Sequence, residues 1–151
     1  MNKMPCAMRM RILTSTILMT APLAFFPGCD AHTARARVEC NNNLKHVGLA
    51  LVIYAEGHDR LIPQDLSAIA SSNYLDVPPS VFVCPADKTK RGSKSTSWGD
   101  FNLAVVSYSL ITPSARLEPD RTNDLVRCPI HQQVAFLQGK TVTTRRETGS
   151  P

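Results

Sequence analysis

An apolar stripe with helical spacing runs through residues 31–55 and constrains the fold more than any other feature of the chain. Its members recur at intervals of four, three, four and three residues, which places them on one face of an α-helix. They are Cys40, Leu44, Val47, Leu51 and Tyr54. Residues 41–43 are three asparagines, which are poor helix formers, so this helix depends on packing for its stability. The stripe therefore predicts a long helix that covers a second layer and stops near Gly57.

The remainder of the chain is patterned as short segments. Asp65 or Ser67 is placed to cap a brief second helix that ends near Ser72. Alternating apolar residues over 101–111 predict a strand. Two β-favouring runs over 134–143 flank a glycine-containing turn, which predicts a hairpin. One long helix followed by short strands predicts an α+β domain, with the helix packed on a small antiparallel sheet that ends in a β-hairpin.

The first 28 residues are built like a bacterial export signal. A basic leader without acidic residues precedes a mostly apolar run over residues 12–26. That run is interrupted by Pro22 and is shorter than the roughly 20 residues that span a membrane. Gly28 directly before Cys29 resembles the cleavage site of bacterial lipoproteins. The resemblance implies an exported chain that begins at an acylated Cys29 and is anchored to the inner or the outer membrane.

Charge and motif content exclude several classes of function. The chain has a formal net charge of +5, and three of its positive charges, Lys3, Arg9 and Arg11, lie in the leader. The remaining charge of +2 is too small for the dense basic face that nucleic acid requires, so no nucleic-acid partner is expected. No nucleophile-elbow or zinc-protease motif occurs. We therefore expect no enzymatic activity, no cofactor and no small-molecule substrate.

Three cysteines follow Cys29, and their chemistry is open to more than one interpretation. They are Cys40, Cys84 and Cys128. An exported chain meets oxidising surroundings, so one disulfide in any of three pairings, with one free thiol, is allowed. A cysteine-dependent enzyme, with Cys128 as nucleophile and His131 as base, is a further interpretation, but no third group that would orient the base is evident.

A zinc site is the alternative that involves the most residues. Two segments of the chain share the pattern Cys-Pro-x followed by a possible ligand. If the two loops met, two thiolates, an imidazole and a carboxylate would form a tetrahedral zinc site. The predicted ligands are Cys84, Asp87, Cys128 and His131. This interpretation is less favoured than a disulfide because exported cysteines more often oxidise.

Three stretches together resemble the prepilin-like family, in particular the major pseudopilin type of type II secretion. Residues 34–55 carry a basic lead-in, a cysteine, Asn-Leu-Lys and a Gly-Leu-Ala-Leu run that reaches a tyrosine. Residues 81–87 read Val-Phe-Val-Cys-Pro-Ala-Asp, and His131 is followed by Val-Ala-Phe-Leu-Gln-Gly-Lys-Thr-Val over 134–142. The resemblance implies a pseudopilin-like domain over 34–144 that acts by binding envelope proteins, such as secretion or pilus-like components. It also favours Cys40 and Cys84 as the disulfide pair.

The chain departs from this family at its N-terminus and in its last turn. The family's Gly-Phe-Thr-Leu-Ile-Glu signal before a long apolar helix is absent, and a lipid attachment point stands there instead. The family's Asp-Gly turn is Gln138-Gly139 in this chain. We therefore expect a domain that does not polymerise by the usual route. We expect the whole chain to consist of a signal peptide over 1–28, an anchor linker over 29–33, this domain over 34–144 and a flexible tail over 145–151.

Overall fold

The structure is a computed structural model, and it describes residues 28–71, 74, 78–90, 98 and 103–147. The signal peptide prediction falls on residues 1–28, and all but the last of these lie outside the described part. No helix in the described ranges is long and apolar enough to cross a membrane.

The long helix predicted from the apolar stripe is confirmed. α1 spans Gly28–Glu56. Cys40, Leu44, Val47 and Leu51 are fully buried, whereas Tyr54 is half-buried. The chain turns away after Gly57, whose N–H donates to the Tyr54 carbonyl over 3.1 Å. The N-terminal part of α1 differs, because residues 31–39 are exposed except for Ala36. Only the C-terminal two thirds of α1 therefore belongs to the core.

The second layer is a four-stranded antiparallel sheet. Its strands are β1 (Ser109–Leu110), β2 (Asn123–Cys128), β3 (Gln133–Gln138) and β4 (Thr141–Arg146). They are ordered β1-β2-β3-β4, and α1 packs against β2, β3 and β4. The predicted α+β architecture, with a helix on a small antiparallel sheet, is confirmed.

Gly48 lies where the helix approaches the sheet closely. A Cβ atom added there would lie 2.8 Å from Cγ1 of Val142 and 3.4 Å from Cβ of Ala135. A distance under 3 Å leaves no room for a methyl group unless a neighbour moves. The glycine therefore allows α1 to lie directly on β3 and β4.

The terminal hairpin is confirmed, with its turn one residue later than predicted. Gln138 pairs with Thr141, so the two loop residues are Gly139 and Lys140. Gly139 has a φ of 60°, and a glycine at the first loop position is the preference of a type II′ hairpin turn. β4 continues through Arg146, two residues into the segment predicted to be a flexible tail, and residues 148–151 lie outside the described part.

The short helix is confirmed, whereas the strand predicted over residues 101–111 is largely wrong. α2 spans Ser67–Ser71, and the Asp65 carboxylate accepts a 2.7 Å hydrogen bond from the Ser67 N–H. Within the predicted strand, Leu103–Val105 form a 3-10 helix and only β1 is extended. Residues 101 and 102 lie outside the described part. Tyr108 is part of the buried core, and Val106 and Leu110 pack against it, but among the described residues of this segment only Ser109 and Leu110 pair with a neighbouring strand.

Candidate metal centre

Four side chains from three separate parts of the fold, one of them α1, come together in the core. Cys40 comes from the middle of α1, and Cys84 from the loop that follows a 3-10 helix over Pro79–Phe82. Cys128 is the last residue of β2, and His131 lies in the turn before β3. Their three sulfur atoms and one imidazole nitrogen all lie within 4.8 Å of one another. The arrangement joins the helix, the middle loop and the sheet at one point.

The spacing of these atoms fits a tetrahedral metal ion. Zinc bonds of about 2.3 Å to sulfur and 2.0–2.1 Å to nitrogen, at tetrahedral angles, separate two sulfurs by about 3.8 Å and a sulfur from a nitrogen by about 3.6 Å. Nδ1 of His131 lies 3.4 Å from Sγ of Cys84 and 4.0 Å from Sγ of Cys128. These two separations are therefore close to those of a zinc site, and none of the ligand separations exceeds 4.8 Å.

Both Cys-Pro turns aim backbone N–H groups at their own sulfur. The Ala86 N–H donates to the Cys84 sulfur, and the N–H groups of Ile130 and His131 donate to the Cys128 sulfur. The first turn is closed by a 2.9 Å hydrogen bond from the Asp87 N–H to the Cys84 carbonyl. N–H donors of this kind favour the charged form of a sulfur, and the thiolate is the form that binds metal.

Hydrogen bonds among the three thiols give them different pKa values. Donation from Cys40 and Cys84, with smaller help from the backbone N–H groups, lowers the pKa of Cys128 to about 2. Hydrogen bonding to Cys128 in turn raises the pKa of Cys84 to about 11 and also raises the pKa of Cys40. A divalent cation would favour the charged form of all three sulfurs, because metal binding requires deprotonated thiols.

Asp87, predicted as a zinc ligand, lies outside this group. Its carboxylate accepts hydrogen bonds from Ser107 Oγ at 2.8 Å, Thr89 Oγ1 at 2.6 Å and the Thr89 N–H at 3.1 Å. Cys40 occupies the fourth position instead. One feature of the sequence could have indicated Cys40 instead of Asp87 as the fourth ligand. Cys40 belongs to the apolar stripe and so faces the layer that carries the other cysteines.

The three cysteines are not joined by a disulfide in this structure. All three are fully buried, and His131 is half-buried. Cys128, the nucleophile of the enzyme interpretation, is therefore not accessible to a substrate in this conformation. The predicted lipidation site, Cys29, is the second residue of α1.

Comparisons with protein-family models, with curated proteins and with solved structures found no significant match to this chain.

Proposed function

We propose that this chain is a small zinc-binding module, in which Cys40, Cys84, Cys128 and His131 hold one zinc ion. The observation that carries the proposal is the convergence of their four ligand atoms within 4.8 Å. Four protein ligands complete a tetrahedral shell, and a site with no open position is typical of structural zinc rather than catalytic zinc.

The composition of the cluster favours a metal over the disulfide. A disulfide uses two sulfurs and needs neither the third cysteine nor His131. The N–H donors at Cys84 and Cys128 likewise stabilise a thiolate and contribute nothing to a disulfide sulfur that carries no charge. A metal ion accounts for all of these features at once.

The role of the zinc would be to fasten the Cys84 loop to α1 and the sheet, which already pack on each other. The loop that carries Cys84 has no strand partner in the described part of the chain. The 3-10 helix before it, in which Val81 and Phe82 are buried, packs on α1. Binding of a structural zinc ion adds directly to the free energy of folding, because the site does not exist in the unfolded chain.

Metal analysis of the purified full chain tests the proposal. We expect one zinc ion per chain and three thiols that react with alkylating reagents only after denaturation and chelation. Cys40→Ser removes a ligand and should abolish stoichiometric zinc. Asp87→Asn is the matched control, because it alters the predicted ligand that the cluster does not use, and it should retain zinc. A metal-free wild-type chain with a Cys40–Cys84 disulfide in its non-reduced peptides would contradict the proposal.

A second proposal, compatible with the first, is a lipid-anchored, pseudopilin-like envelope protein that acts by binding secretion or pilus-like components. It is supported by the order of elements, a long helix followed by an antiparallel sheet with a terminal hairpin. It is also supported by the exposed start of α1. Cys40 lies eleven residues after Cys29 along this helix, or about 16 Å at 1.5 Å per residue. An acyl group on Cys29 would hold the domain off the membrane surface by a helical stalk.

The intact mass of the membrane-extracted protein tests the anchor. We expect a chain that begins at Cys29 and carries acyl groups, whereas Cys29→Ser should yield a protein without them. A mass that includes residues 1–28 would overturn the lipid anchor and would leave the zinc proposal standing.

A further inference from the structure

Cys40 differs from the other two cysteines in the groups that are available to donate a hydrogen bond to its sulfur. Cys84 and Cys128 each receive backbone N–H groups from the turn that follows them. Cys40 lies in the interior of α1, where each following N–H group is bonded to a carbonyl one turn back along the helix. Its backbone therefore offers no N–H group to the sulfur, and any donor must come from a side chain.

The hydroxyl of Tyr108 fills this position. It donates to the Cys40 sulfur over 3.7 Å, and Tyr108 is only 5% exposed. Tyr108 belongs to the segment just before β1, and its neighbour Ser107 fixes that segment through a 3.0 Å hydrogen bond from its N–H to the Phe82 carbonyl. The hydroxyl is thus held against the sulfur from outside the helix.

Asn43 holds the hydroxyl in turn. Its side chain is hydrogen-bonded to Tyr108, and its amide nitrogen also donates to the Val83 carbonyl over 3.3 Å. Asn43 lies three residues after Cys40, so both project from nearly the same face of α1. An asparagine that is unfavourable for helix formation therefore links the helix, the Cys84 loop and Tyr108.

The charge of a zinc complex at this site makes such a donor important. One zinc ion with three thiolates and a neutral imidazole carries a net charge of −1, in a cluster whose three cysteines are fully buried. A buried charge is costly unless hydrogen bonds compensate it, and bonds to charged acceptors are the stronger kind. Cys84 and Cys128 are compensated by backbone groups, which leaves Cys40 to depend on Tyr108.

We propose that Tyr108 is a positioning residue of the metal centre, which donates to the Cys40 thiolate and, with Asn43, determines how tightly zinc is held. This inference rests on the proposed zinc site. Residues that hydrogen-bond to a metal ligand typically change metal affinity by a factor of about 10–100. Removal of this hydroxyl should therefore weaken zinc binding without removing a ligand.

Tyr108→Phe in the full chain is the direct test, with Tyr54→Phe as a matched control that removes a tyrosine hydroxyl from the far end of the same core. We expect Tyr108→Phe to bind one zinc ion per chain with at least about 10-fold lower affinity in competition with a chelator. With cobalt(II) as the probe, its sulfur-to-metal charge-transfer band should move to lower energy, because an uncompensated thiolate gives up electrons more readily. Tyr54→Phe should match the wild-type chain in both measurements.

The outcomes separate this inference from the zinc proposal. Equal affinity and an unchanged band in Tyr108→Phe, with a zinc-loaded wild-type chain, overturn the role of Tyr108 alone. A wild-type chain that binds neither zinc nor cobalt overturns both. If Tyr108→Phe does not fold, Asn43→Ala keeps the tyrosine but frees its hydroxyl, and it should shift the same band in the same direction. An unchanged band in that variant also overturns the inference.

Discussion

At the residue scale, Asp87 is a largely buried carboxylate that its neighbours keep charged. Burial raises the pKa of Asp87, but hydrogen bonds from Thr89 and Ser107, with the charge of Lys90, outweigh this effect and lower the pKa. The carboxylate joins residues on both sides of the segment 91–97, which lies outside the described part. Asp87 therefore stabilises the Cys84 loop through hydrogen bonds and would not be a ligand of the proposed metal.

We predict that Asp87→Asn lowers the free energy of unfolding at pH 7 by about 1–3 kcal/mol, since hydrogen bonds to a charged acceptor are lost. A carboxyl group whose pKa is lowered on folding stabilises the protein above its unfolded pKa of about 3.9. That contribution is lost as the pH falls through the lower folded value. The difference between wild type and variant should thus be full above about pH 5 and should shrink towards zero in more acidic buffer.

Urea unfolding of both proteins at a series of pH values measures this difference. Loss of metal in acid affects both proteins and cancels in the comparison. Asp120→Asn, at an exposed position, is the control and should show no such dependence. If the difference in free energy of unfolding between wild type and Asp87→Asn stays constant down to pH 3, the charge of the carboxylate does not account for the effect of the substitution.

At the scale of elements, the contact between α1 and the sheet depends on Gly48. Gly48→Ala gains about 1 kcal/mol in helix propensity but places a methyl group 2.8 Å from Val142. Overpacking of this kind costs about 1–3 kcal/mol. Val142 is β-branched and held in the β4 ladder, so it yields little, and we predict a net loss of about 1 kcal/mol.

A double-mutant cycle with Val142→Ala isolates the steric term. With the smaller residue in β4, Gly48→Ala should become neutral or stabilising, because only the propensity gain is left. Chemical denaturation of the four proteins gives the coupling energy. Equal effects of Gly48→Ala in both backgrounds would show that the helix can move away from the sheet at little cost.

The elements that the sequence predicted well are those with regular periodicity. The stripe that begins at Cys40 and the hairpin around Gly139 follow the helical and strand periods closely. β2 was missed because a register shift between Asp124 and Val126 breaks its alternation, and the adjacent Leu125 and Val126 are both buried. Period-2 reasoning cannot identify a strand that contains such a bulge.

The candidate site was predictable to the extent that its residues share a local pattern. Cys84, Cys128 and His131 stand in two similar Cys-Pro turns, so spacing alone singled them out. Cys40 lies 44 residues before Cys84 and joins the others only through tertiary packing, which brings α1 next to both turns. The hydroxyl of Tyr108 reaches Cys40 in the same way, through tertiary packing that no local pattern encodes.

At the scale of the whole molecule, the centre lies where the helical layer, the sheet and the irregular middle segment meet. Cys40, Cys84 and Cys128 belong to the same buried cluster as Leu44, Phe82 and Leu125. A core of this size in a domain of about 110 residues supports only modest stability. The proposed metal would therefore contribute a large share of the free energy that holds the layers together.

We predict that removal of zinc lowers the stability of the whole domain. Free zinc at about 1,000 times its dissociation constant adds about 4 kcal/mol, which corresponds to roughly 15 °C or more in midpoint temperature for a domain of this length. Calorimetry with zinc and with excess chelator measures the shift, and Cys40→Ser should melt at the lower temperature under both conditions.

Since α1, the Cys84 loop and the sheet each supply a ligand, their unfolding should stay a single transition with zinc. Without zinc, the Cys84 loop should lose amide-exchange protection first. Uniform protection with and without zinc would contradict the view that the metal joins these three elements.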